Sequence, residues 1–135
     1  MKKTILVLSV ILLIFLSCTT NEEDNLIILE DTSIICDNTV VYDPNFTGTA
    51  CCIQRNSDLD FYSVVEYEYT TNLENAVYQW EVIYGEIQVV TGMNSNIIRI
   101  TFDENFSTAR LVCRSDGDMG ACSEDVIITK LSEMD

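Results

Sequence analysis

Six cysteines, 22 carboxylates and no histidine set the chemistry open to this 135-residue chain. Without histidine, the usual general base, the Ser–His and Cys–His nucleophile pairs and the commonest metal ligand are all missing. No Gly-x-Ser-x-Gly elbow, Ser-x-x-Lys pair or glycine-rich phosphate loop takes their place. With so many acids, paired carboxylates arise by chance. A glycosidase needs two of them held roughly 5–10 Å apart across a cleft, whereas Glu66 and Glu68 fall on one side of a single strand. There they read as a solvated face that charge protects from edge-to-edge pairing. The best calcium candidates are Asp116 and Asp118, flanking Gly117, with Glu124 and Asp125 close behind. Calcium takes several oxygens from a flexible loop; EF-hand spacing is absent, and an acidic β-turn accounts for the same residues.

The cysteines divide into two groups. Cys18 ends a segment made of Lys2-Lys3, an apolar run from Ile5 to Leu16 and Ser17. Two lysines, a short apolar run and a small residue form a secretory signal, and the run is shorter than the roughly 20 residues a spanning helix needs. An exported chain meets an oxidising compartment, so Cys36, Cys51, Cys52, Cys113 and Cys122 read as disulfide candidates, and their odd number leaves at least one unpaired within the chain. Cys113 and Cys122 flank a turn-like stretch and are expected to bridge across that hairpin. Cys36 is then expected to meet Cys51 or Cys52. A bond between the adjacent Cys51 and Cys52 would be strained. Zinc has neither a C-x-x-C pair nor a histidine to support it. A leftover thiol at Cys51 or Cys52 has no neighbouring histidine or lysine in sequence to lower its pKa, so it is expected to be inert.

The elements that must position these residues follow from periodicity. Residues 1–17 are expected to be removed, 18–25 form an acidic tether, and 26–57 form an N-terminal extension with a loop and room for a first strand. From residue 58 to 131 the pattern alternates with period two, the mark of half-buried strands. Val65, Tyr67 and Tyr69 share one side; so do Ala76, Tyr78, Trp80 and Val82; Ile98, Ile100 and Phe102; Ala109, Leu111 and Cys113; Val126 and Ile128. Turn residues separate the runs, at Thr71-Asn72, Tyr84-Gly85, Gly92, Asp103-Glu104-Asn105 and Asp116-Gly117-Asp118. Short strands with one apolar face bury it against a second sheet, so the fold class is all-β, an antiparallel β-sandwich. Trp80, in phase with Tyr78 and Val82, is a core residue. The stretch from Asp37 to Asp60 reads as a long loop tied down by Cys51 and Cys52.

Loss of Lys2 and Lys3 moves the net charge from −15 to −17. Such a field repels nucleic acid and anionic headgroups alike, so membrane attachment has to come from a lipid. Phe15-Leu16-Ser17-Cys18 resembles the lipobox of bacterial lipoproteins, which implies lipidation of Cys18. The acids that follow resemble the export signal of surface lipoproteins in the Bacteroidetes. Tyr78-Gln79-Trp80-Glu81-Val82, Gly85-Glu86-Ile87 and Ile98-Arg99-Ile100-Thr101-Phe102 resemble PKD-like, immunoglobulin-type domains, with the match covering residues 58–131.

These resemblances imply a non-enzymatic protein of a Gram-negative cell envelope, lipid-anchored to the outer membrane, displayed at the surface if the acids after Cys18 act as an export signal and not if they are a plain linker. It would bind protein or glycan, or act as a spacer, and carry no cofactor. Tyr62 and Tyr84, beside turns, are the candidates for a contact surface. The rival readings are a small calcium-dependent or glycan-active envelope protein, and a subunit that completes a partner's sheet through an open edge.

Overall fold

The computed structural model describes residues 26–131, so Cys18 and the segments expected to be a signal (1–17) and an acidic tether (18–25) lie outside the described residues. Eight strands make two sheets: β1 (Ile28–Asp31), β2 (Cys51–Arg55), β3 (Val65–Thr71), β4 (Val77–Tyr84), β5 (Ile87–Thr91), β6 (Ile97–Phe102), β7 (Thr108–Gly117) and β8 (Gly120–Leu131). One sheet has the order β1-β8-β7-β4 and the other β2-β3-β6-β5, with every pairing antiparallel. The all-β sandwich expected from the alternation is therefore present.

Each inward set lands where its period puts it. Val65, Tyr67 and Tyr69 of β3 and Ile98 and Ile100 of β6 are buried against Ala109, Leu111 and Cys113 of β7 and Val126 and Ile128 of β8. Trp80 is 1% exposed, and its indole N–H donates to the Ser95 carbonyl at 2.7 Å. The buried ring is thus not left with an orphan donor. Phe106, Phe102 and Phe61 close the core at one end, with ring centroids 4.7 and 6.0 Å apart along that row.

The stretch expected to be a long loop, Asp37–Asp60, is partly regular, and the room left ahead of it for a first strand is taken by β1. β1 joins the edge of the sheet beside β8, Asp37–Asp60 contains β2 and the 3-10 turn Val40–Tyr42, and a first 3-10 turn, Cys36–Asn38, straddles its start. Those turns cover the outer side of β2, where Cys36, Val41, Ala50 and Cys52 form a small second core. β2 is therefore apolar on both faces at Cys52-Ile53 and shows no alternation.

Asp31 fastens β1 to the opposite sheet. Its Oδ2 accepts from Arg55 Nη1 at 2.9 Å and from the Tyr67 hydroxyl at 2.7 Å, while Oδ1 accepts from the Ser33 hydroxyl at 2.7 Å. Burial, reinforced by this hydrogen bond to a carboxylate, pushes the Tyr67 hydroxyl's pKa well above its ordinary value.

Register fixes which loops share an end. Ile28 pairs with Leu131, so the chain enters the sandwich beside the exit of β8. Gly117 pairs with Gly120 at the other end of the same strand, twelve residues long. The entry end also carries the β2–β3 loop, the Gly85 turn and the segment 103–107. The far end carries the segment 43–50, the β3–β4 turn and the β7–β8 turn.

Candidate functional site

Strand geometry decides the disulfides. Successive side chains of a strand point to opposite faces, so adjacent Cys51 and Cys52 part company on β2. Cys51 faces inward and bonds Cys122 of β8, across the sheets; Cys52 faces outward and bonds Cys36 of the first 3-10 turn. The expected bridge of Cys36 to one member of the pair is present, to Cys52. The expected Cys113–Cys122 bridge is not. Cys113 sits opposite Glu124, and Cys122 opposite Ser115, so the two are offset by two residues along the hairpin. Diagonal neighbours of that kind stand about 7–8 Å apart, beyond the usual reach of a disulfide. Cys113 is a free thiol, fully buried in the core, and its burial pushes its pKa up to about 12. It stays protonated and unreactive at neutral pH.

At the far end, three loops enclose a cleft of about 390 Å³ lined by Phe46, Thr47, Gly48, Thr49, Asn72, Leu73, Glu74 and Met119. Asn72 organises it. Its backbone N–H donates to the Ala50 carbonyl at 3.2 Å, its Oδ1 accepts from the Ala50 N–H at 2.8 Å, and its Nδ2 donates to the Gly48 carbonyl at 2.8 Å. These bonds carry the β2–β3 ladder one residue past the strands.

The β7–β8 turn is held against the β3–β4 turn. The Asp118 N–H donates to the Glu74 carbonyl at 3.2 Å, and Asn75 Nδ2 donates to Asp118 Oδ2 at 2.7 Å. Asn75 has φ 52°, a left-handed conformation that asparagine tolerates better than most residues. At Gly117 a Cβ would stand 2.8 Å from the Glu74 carbonyl oxygen, so no larger residue lets the two turns approach this closely. The cleft is therefore preorganised by backbone bonds and by the side-chain amides of Asn72 and Asn75. Phe46, Leu73 and Met119 give it apolar walls, and Thr47, Thr49 and Glu74 give it oxygens. Met119 is 85% exposed, more than any other large apolar residue described. A smaller cleft of about 170 Å³ lies beside the two bridges, lined by Thr32, Ile34, Thr39, Cys51, Cys52, Ile53, Glu124 and Asp125.

The residues singled out from sequence fall elsewhere. Asp116 pairs with Arg114 at 3.2 Å, and Asp118 is engaged by Asn75, next to the larger cleft but outside its lining. Among the described residues, no three cysteines or acids converge as a metal site. Tyr62, 76% exposed, ends the aromatic row at Phe61 with a centroid separation of 5.1 Å, and Tyr84 pairs with Arg110. Both lie at the entry end, away from the larger cleft. What sequence reading missed is Phe46, Glu74 and Met119. One signal was there to find: in Gly117-Asp118-Met119-Gly120 a large apolar residue occupies the tip of a tight hairpin, where folding gains nothing from it.

The chain matches no family model, and no curated protein or solved structure is significantly similar to it.

Proposed function

We propose that this protein is a lipid-anchored, non-enzymatic lipoprotein of the cell envelope, built on an immunoglobulin-type, PKD-like sandwich that presents a binding surface on a short acidic tether. The immunoglobulin-type reading is supported by strand order. Counted from β2, seven strands divide as β2-β3-β6-β5 against β4-β7-β8, the division of a constant-type immunoglobulin domain, with β1 added beside β8. A tryptophan buried on the third strand of that series, Trp80, agrees with it.

The observation that carries the functional reading is the preformed cleft at the end of the sandwich opposite the chain's entry. A domain tethered through Cys18 enters at Ile28, which leaves the Met119 end directed away from the attachment. Loops clustered at one end of a rigid sandwich are where such scaffolds place recognition.

The attachment is tested by Cys18→Ser in bacterial cells expressing the full chain. The expected result is loss of the lipidated N-terminal peptide from the mass spectrum and movement of the protein from the membrane to the soluble fraction. Retention in the membrane with unchanged processing would overturn the lipoprotein assignment. The surface is tested by photo-cross-linking in the same cells from position 119 and, as a control, from position 62. Adducts from position 119 alone are expected; adducts from position 62 alone would move the binding surface to the entry end.

A further inference from the structure

We infer that the far-end cleft accepts a basic side chain, lysine or arginine, presented by a protein partner. This deepens the binding reading above and rests on it.

The described residues carry five basic side chains, and each is already engaged. Arg55 pairs with Asp31, Arg99 with Glu66, Arg110 with Asp125 and Arg114 with Asp116, while Lys130 lies over the Phe61 ring. The arginine nearest the tip is thus committed to Asp116. Glu74, which lines the cleft, enters no ion pair among the described residues, and Asp118 beside it meets only the neutral amide of Asn75. A ligand that brings a cation finds this carboxylate uncompensated, whereas an anionic ligand meets a chain with a net charge of −15.

Lysine and arginine present an apolar stem and a charged head. The cleft pairs apolar walls from Phe46, Leu73 and Met119 with Glu74 and the Thr47 and Thr49 oxygens. The Phe46 ring lies over Gly48, its Cζ 2.9 Å from where an added Cβ would stand. A ring held this way can take a guanidinium or ammonium group on its free face. Methionine is adaptable, and Met119 can close over stems of different length. Hydrogen bonds from Asn72 and Asp118 fix the backbone beforehand, so little ordering cost falls on binding.

The test uses the full-length lipidated protein in detergent and a nonapeptide library with its central position fixed as Arg, Lys, Glu or Leu. Peptides with central Arg or Lys are expected to be enriched, with binding that weakens as salt rises. Glu74→Gln should weaken that binding about tenfold, the loss of one charge-assisted hydrogen bond, and Phe46→Ala should abolish the enrichment. Both positions are exposed or half-buried, so thermal unfolding of each variant serves as the control for folding. Enrichment that ignores the central residue, or binding unchanged in Glu74→Gln, would overturn the inference. A glycan array probed in parallel separates the two levels of the argument. Glycan retention lost in Phe46→Ala would keep the cleft as the binding surface and overturn the basic side chain as its ligand. Retention of neither probe class in a manner that depends on Phe46 would overturn both.

Discussion

The bridge between Cys51 and Cys122 closes a loop of 71 residues, and the one between Cys36 and Cys52 closes a loop of 16. Loop-closure entropy gives the first about 4.4 kcal/mol and the second about 3.1 kcal/mol at 25 °C. Against a total stability of roughly 5–15 kcal/mol for a domain of this kind, either loss is large. We expect Cys51→Ala/Cys122→Ala to be the more destabilised pair, by about 1.3 kcal/mol relative to Cys36→Ala/Cys52→Ala. Urea unfolding followed through Trp80 fluorescence measures both. With m near 1–3 kcal/mol/M, that difference separates the two midpoints by about 0.4–1.3 M. Connectivity has its own assay. Cleavage after arginine and lysine leaves Cys113 in the tetrapeptide Leu111–Arg114, Cys122 in Ser115–Lys130, and Cys36, Cys51 and Cys52 together in the peptide ending at Arg55. In a non-reducing digest the tetrapeptide should run free, and Ser115–Lys130 should be linked to the peptide ending at Arg55. A tetrapeptide linked to Ser115–Lys130 would refute the register argument, and an equal or greater cost for the short loop would refute the entropy ranking.

Two further outcomes rest on the core. Trp80→Ala should cost about 3–5 kcal/mol, seen as a fall in the thermal midpoint; a loss below 1 kcal/mol would mean that the indole is not packed as described. Alkaline pH should destabilise the fold. Cys113 rises from 9.0 to about 12 and Tyr69 from 10.0 to about 12, each chiefly through burial. The folded chain therefore keeps protons that the unfolded chain releases, so stability is intact below pH 9 and falls as pH rises from 9 towards 12. Each such group steepens that fall by up to about 1.4 kcal/mol per pH unit. Urea midpoints between pH 8 and 11 measure it, and Cys113→Ala should flatten the part that begins near pH 9; a midpoint constant across that range would contradict the burial of both groups.

Much of the architecture was legible because five strands keep one apolar face, and alternation is insensitive to what lies opposite. The strands that escaped are those where it fails. β2 buries both Cys52 and Ile53, since the Cys36–Tyr42 segment covers its outer side. β5, at a sheet edge, has Val89 and Val90 in succession, the second of them 52% exposed. Disulfide pairing depends on register and on which sheet a residue joins, and neither is written in spacing, so Cys122 was matched with its neighbour in sequence rather than with Cys51. The cleft was hidden for a similar reason. It needs residues 46, 74 and 119 to share one end of the sandwich, and only the strand order brings them there.

The divergent cysteines of β2 also define how the molecule would carry tension. Held at its N-terminal end and gripped at Met119, the chain is loaded along the β1–β8 ladder, four residue pairs long. Should β1 peel away, only the residues ahead of Cys36 can be drawn out. From Cys36 the path runs through one bridge to Cys52, across a single peptide bond to Cys51, and through the second bridge to Cys122, three residues from Met119. A pull between the N-terminal end and Met119 would thus pass through covalent bonds and bypass most of both sheets, leaving the sandwich folded and the cleft intact under strain that would unravel an unbridged domain.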